Sequence, residues 1–318
     1  MIGLGDSRWL RDLPARTALK LFNQRPVRTW LGHRHDDALR RHRASLPHLS
    51  AGDAQIVKDL HSRGIHVTTL ETLGVPGSEA ILARATALAE NFAETARALA
   101  RQGRSFIVVP PESIVRRAAI FRWGLQDRLL DIAESYLGLP AAYDGVAINY
   151  TVADGRAIST RKWHRDWEDR RMLKIAVYLH EVDAAGGPFQ QISRADTLQD
   201  DLKGFTYALS DDAELEQRLG PGYERDIVSC EGPRGTVVFC DTARCFHRGK
   251  PAVARDRAAL FYSYFTNPPR HPFLCERTGL SRKDIAWMVR RLPERQNRAA
   301  LWRRHLTPLL RLIPPASL

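Results

Sequence analysis

Two histidines and one aspartate in this chain are spaced so that they could share an ion. The segment Trp163-His164-Arg165-Asp166 closes a run, 157–163, that reads as a strand. Side chains two apart along a strand point the same way, so His164 and Asp166 can reach one point. His247, in Cys245-Phe246-His247-Arg248-Gly249, follows another strand-like run, 235–241, which lets a second imidazole arrive from a neighbouring strand. Two imidazoles and a carboxylate take one face of an octahedral metal and leave the other face open. That is the donor set of non-haem Fe(II) sites that activate oxygen.

A His-x-Asp pair alone is a weak signal in a chain with eleven histidines. Arg257 gives it weight. It heads the run Arg257-Ala258-Ala259-Leu260-Phe261-Tyr262, shortly after His247. A guanidinium in an apolar strand is costly to bury unless a carboxylate meets it, and its fork matches a carboxylate bidentately. A dicarboxylic cosubstrate would supply that partner. Arg255 is the rival, but it precedes Asp256 in an expected turn and is read as solvated. Lys174 is read as a surface lysine rather than a second anion contact.

The elements that must position these residues fall into three stretches: a basic helical extension over 1–50, a main domain over 51–275 and a basic amphipathic helical extension over 276–318. In the first, short helices over 14–23, opening at Pro14, and 37–45 are expected on either side of Pro26, with Pro47 closing the arm. Residues 78–101 place Ile81, Leu82, Ala85, Leu88, Ala89 and Phe92 on one helical stripe, with Ser78 as the expected cap. A second helix is expected over 112–137, ending at Gly138. From 143 the pattern turns to short strand-like runs, 145–151, 157–163, 172–180, 226–230, 235–241 and 257–266. Helix followed by many short strands argues for an α+β domain built on a sandwich or barrel. Helices return over 281–292 and 297–307, with Trp287, Trp302 and many arginines.

The 318 residues are 44% hydrophobic and 26% charged, ordinary globular composition. No run is long and apolar enough for a spanning helix, and the amino terminus lacks the order of a secretion signal, so a cytoplasmic protein is expected. Cys230, Cys240, Cys245 and Cys275 fit no zinc spacing and are too few for a disulfide scaffold; they are read as buried reduced thiols. The net charge of +12 sits at the ends: residues 1–50 hold ten basic and four acidic side chains, and 276–318 hold ten and three. No nucleic-acid motif accompanies them, so nucleic acid is excluded as the expected partner and amphipathic helices account for the arginines.

Residues 145–266 resemble the phytanoyl-CoA dioxygenase-like branch of the 2-oxoglutarate oxygenases. The resemblance is carried in order by Trp163-His164-Arg165-Asp166, the run Lys174–Leu179 leading to Gly187-Pro188-Phe189, the strand Gly235–Phe239, then His247 and Arg257. It implies a double-stranded β-helix (jelly-roll, cupin-like), Fe(II) on His164, Asp166 and His247, and 2-oxoglutarate on Arg257, with O2 as oxidant. A hydroxylase forming succinate and carbon dioxide is the implied activity, and Asp166 argues against halogenation, where a small residue replaces the carboxylate. The family often shows Gly-Ser-His after Gly-Pro, whereas this chain reads Gln190-Gln191-Ile192-Ser193-Arg194, so the substrate is left open. A small molecule is expected; an anionic or acyl-carrier-bound one, and peripheral membrane contact by the Trp- and Arg-rich ends, both stay open. The rival class is a membrane or interaction protein with those ends on a non-catalytic barrel.

Overall fold

A computed structural model describes residues 5–194 and 207–316, with side chains from residue 10 onward. Among them, eight strands form two antiparallel sheets. They are β1 (Ile65–Thr69), β2 (Ala141–Thr151), β3 (Leu173–Tyr178), β4 (Phe189–Ile192), β5 (Ile227–Cys230), β6 (Thr236–Cys240), β7 (His247–Gly249) and β8 (Arg257–Thr266). The larger sheet runs β1-β6-β3-β8-β2 and the smaller β5-β4-β7.

Alternation along β8 explains the layering, because successive strand side chains point to opposite faces. Leu260, Tyr262 and Tyr264 join a core with Ile148 of β2, Ile175 and Val177 of β3, and Phe239 of β6. Against that face pack the helix Ser78–Arg101, through Ile81, Leu82, Ala85, Leu88 and Ala89, and the helix Asp127–Leu137. The intervening residues Arg257, Phe261, Ser263 and Phe265 look the other way, into a cavity beneath the smaller sheet. A one-residue slip would exchange these faces.

The carboxy-terminal segment is built into the same body. Met288, Val289, Ala299 and Ala300 enter the main core, and Trp302 and Leu306 pack on Ala142, Met172 and Phe265. At the other end, Ala15 and Ala18 pack with Trp167, Phe273 and Leu274. All four cysteines are buried and free. Among the described residues no helix is long and apolar enough to cross a membrane.

Several elements differ from the sequence reading. Helices run over Gly5–Phe22, with Pro14 inside, and Arg25–His42, with Pro26 in its first turn. A proline tolerated there starts a helix rather than separating two. The helix Ser78–Arg101 is capped by Gly77, not Ser78, whose hydroxyl instead donates to Val75 O at 2.6 Å. The expected helix 112–137 is three pieces, Pro111–Val115, Ala118–Trp123 and Asp127–Leu137. Three sheet tyrosines take its carbonyls: Tyr262 donates to Ile120 O (3.2 Å), Tyr143 to Phe121 O (2.9 Å) and Tyr264 to Gly124 O (2.6 Å). A Cβ on Gly124 would stand 2.6 Å from the Tyr143 hydroxyl, so the break needs glycine at this close approach. Residues 157–163 form no strand but a loop with one 3-10 turn, Ser159–Arg161. It is an anchored loop, in which Arg161 is buried on Asp154.

Candidate metal centre

The loop after that turn meets β7 through an isolated antiparallel bridge between His164 and His247. Their backbones exchange both hydrogen bonds, His164 N to His247 O at 3.1 Å and His247 N to His164 O at 2.9 Å. This pairing, not a strand of its own, sets the direction of His164, and Asp166 is held by its amide donating to Thr242 O at 2.8 Å. His247 is placed by the turn after β6. There Asp241, fully buried, accepts from Arg244 Nε at 2.7 Å, from the Tyr136 hydroxyl and from the Ala243 amide at 3.0 Å. Gly64 presses on the same turn. Its carbonyl accepts from Asp241 N and Gln191 Nε2, and at φ 71° a Cβ would lie 2.4 Å from Cys245 Sγ.

One ligand atom each from His164, Asp166 and His247 lies within 4.8 Å of the others, and all three residues are buried. Each imidazole uses Nδ1 on a backbone carbonyl, His164 on Lys162 O at 2.9 Å and His247 on Cys245 O at 3.3 Å. A protonated Nδ1 in those contacts leaves Nε2 with its lone pair, the form a metal takes. Burial lowers the pKa of both rings, so they are held neutral. Burial alone would raise Asp166, but the Lys174 ammonium, then His247 and His164, hold it below the usual carboxylate range. The set is two neutral imidazoles and one carboxylate.

Lys174 is not a surface lysine. Its Nζ lies 2.6 Å from Asp166 Oδ2, and burial, which would lower its pKa, is overcome by Asp166 and Glu168. Its β3 position points it into the cavity, and the strand-like pattern over 172–180 does not say which face that is.

Arg257 and Arg255 are separated by the structure. Arg255 is half exposed and paired with Asp183. Arg257 is 8% exposed; its Nη2 donates to Thr151 Oγ1 at 3.2 Å, while Nη1 is buried without a partner. Gly249 leaves room for it, since a Cβ there would stand 2.5 Å from Arg257 Nη2. Arg257 lines the same cavity as His164, Asp166 and His247.

The cavity also shows residues that spacing could not single out. Phe189 stacks on His247, centroids 5.7 Å apart. Glu168, Arg277 and Tyr207 line it on the side of Asp166. The alternation His164, Asp166, Glu168 was a legible hint for Glu168; nothing local marked Arg277, which comes from the segment after β8. A wider surface groove between Arg97, Arg156 and Arg255 shares only Tyr150 with this cavity, and those three arginines are already paired with Asp256, Asp154 and Asp183.

No family model matches this chain, and no curated protein does. Among solved structures, EctD from S. alaskensis with bound Fe is 20% identical, covering 70% of this chain and 78% of its own at a TM-score of 0.46. The non-heme alpha ketoglutarate dependent carbocyclase SnoK from nogalamycin biosynthesis is 16% identical, covering 69% and 85% at a TM-score of 0.46. The epimerase SnoN, in complex with Fe3+, alpha ketoglutarate and nogalamycin RO, is 16% identical, covering 77% and 91% at a TM-score of 0.43.

Proposed function

We propose that this chain is a non-haem Fe(II)- and 2-oxoglutarate-dependent oxygenase of the phytanoyl-CoA dioxygenase-like kind. In this reading His164, Asp166 and His247 hold the iron, Arg257 holds the distal carboxylate of 2-oxoglutarate, and the two sheets are the halves of a double-stranded β-helix. The observation that carries it is Arg257. A buried guanidinium with one nitrogen unsatisfied is costly, and it opens into the cavity that also holds the three converging ligand atoms. A dicarboxylate spanning from the metal to Arg257 removes that cost.

The donor set fits iron(II), with imidazole and carboxylate ligands on one side of the ion. When bound, iron with 2-oxoglutarate and O2 supplies the oxidising power to hydroxylate an unactivated C–H bond of a small-molecule substrate, with succinate and carbon dioxide as co-products. The chain's own residues bind, orient and exclude. Lys174 fixes one oxygen of Asp166, Thr151 steadies the Arg257 fork, and Phe189, Phe261 and Phe265 line the cavity with apolar surface that limits water.

The test is iron-dependent succinate release in a screen of candidate small molecules. Release that needs both Fe(II) and 2-oxoglutarate and rises with one substrate supports the reading; a protein that binds neither overturns it.

A further inference from the structure

The cavity that Arg257 enters is also lined by two opposite charges that the proposed cofactors leave unused. Glu168 is 2% exposed; its Oε2 accepts from the Trp167 amide at 3.0 Å, and its Oε1 lies 3.5 Å from Arg277 Nη1. That separation is longer than the ~2.7–2.9 Å of a charge-assisted hydrogen bond. The other charges lining the cavity are already engaged. Lys174 is on Asp166, Arg161 is on Asp154, and Asp144 accepts from the amides of Glu276 and Arg277.

The two partners are held differently. Glu168 is fixed in place by accepting from the Trp167 amide. The Arg277 side chain is 45% exposed and can turn. A buried carboxylate facing one distant guanidinium is under-compensated. One buried polar group of the same cavity has no partner: Thr242 Oγ1, fully buried, follows Asp241 and precedes the turn to His247.

We propose that Glu168 and Arg277 bind the head of a zwitterionic substrate, the ammonium on Glu168 and the carboxylate on Arg277, as on a free α-amino acid. Because the two groups adjoin, the ligand's two charges must adjoin as well. A ligand of this kind exchanges one loose ion pair for two close ones, and its side chain is left directed toward the ligand cluster. The inference rests on the iron and 2-oxoglutarate reading above.

The experiment uses the full chain with Fe(II) and 2-oxoglutarate under anaerobic conditions, following the visible absorption of that complex. Free L-α-amino acids are added in turn, then their N-acetyl derivatives and methyl esters, which lack the ammonium and the carboxylate. The expected result is that at least one free amino acid perturbs the band and stimulates succinate release in air, with both blocked forms at least about tenfold weaker. Glu168→Gln and Arg277→Met should keep the band, which certifies fold and cofactor loading, and lose at least about tenfold in affinity for that amino acid. A band that forms but answers to no free amino acid overturns the inference alone, as does an unchanged response in both variants or an equal response to the blocked forms. Absence of the band in the wild-type chain overturns the underlying oxygenase reading and this inference with it.

Discussion

Lys174 Nζ and Asp166 Oδ2 lie 2.6 Å apart, so the carboxylate of the ligand cluster is held by an ammonium from β3. The same oxygen lies 3.7 Å from His247 Nε2, so the ammonium orients the carboxylate within the ligand cluster. Removing it frees Asp166 to rotate. Lys174→Met should weaken Fe(II) or Co(II) binding by about 10–100-fold, the usual effect of losing a group that orients a ligand. Equilibrium metal titration checks this; tighter binding would show that the ammonium competes with the metal instead.

Arg257 should matter to 2-oxoglutarate and little to iron. Charge-assisted hydrogen bonds to a carboxylate are worth ~1.5–3 kcal/mol, so Arg257→Ala should weaken 2-oxoglutarate by at least about tenfold. Arg257→Lys should recover only part, because an ammonium keeps the charge and loses the fork. Arg255→Ala, at an exposed side chain paired with Asp183, should change nothing measurable. Titration of 2-oxoglutarate into the anaerobic Fe(II) protein compares all three.

Gly249→Ala tests the same pocket without removing a charge. Its Cβ would meet Arg257 Nη2 at 2.5 Å, and the guanidinium, at the end of a flexible chain, must swing away. Thermal stability should hardly move, while 2-oxoglutarate affinity falls by about tenfold or more. Unaltered 2-oxoglutarate binding in this variant would mean the fork is not what it meets.

The pH dependence of stability should turn on Asp144. Burial pushes its carboxyl up to about 7, above the unfolded value of 3.8. Between those values the folded chain binds one more proton than the unfolded one, so Asp144 contributes stability that is present in acid and lost as pH rises through 7. Burial acts oppositely on His271, lowered to about 3, and on His35, lowered to about 4, whose contributions are present above 6.5 and lost as pH falls. Asp144→Asn removes the offsetting group. Its unfolding free energy between pH 4.5 and 6 should fall with acid more steeply than wild type by roughly one proton, about 1.4 kcal/mol per pH unit. Urea denaturation across that range measures the slopes, and parallel slopes would refute the assignment.

The mixed helix and sheet class and most core strands were legible because alternation and turn residues mark them. The helix stripe over 78–101 matches Ser78–Arg101. What failed depends on partners distant in the chain. The short strands β1, β4 and β7 pair only because β6, β5 and β4 respectively lie beside them, and no periodicity in three to five residues reveals that. The helix 112–137 is broken by hydroxyls of Tyr143, Tyr262 and Tyr264 arriving from the sheet. In the site, His164, Asp166, His247 and Arg257 could be named from residue type and spacing. Glu168 was hinted at by alternation from Asp166, but Lys174 and Arg277 could not be placed, since only the register of β3 and the fold of the segment after β8 turn them inward.

The most direct test of the account is anaerobic Fe(II) binding to the wild-type chain and to Asp166→Ala, with and without 2-oxoglutarate. The wild type should bind one iron per chain and, on adding 2-oxoglutarate, develop the visible charge-transfer absorption of a keto-acid chelate. Asp166→Ala should lose at least about tenfold in iron affinity and show no turnover. Equal iron binding and turnover in Asp166→Ala would contradict the claim that His164, Asp166 and His247 form the metal centre.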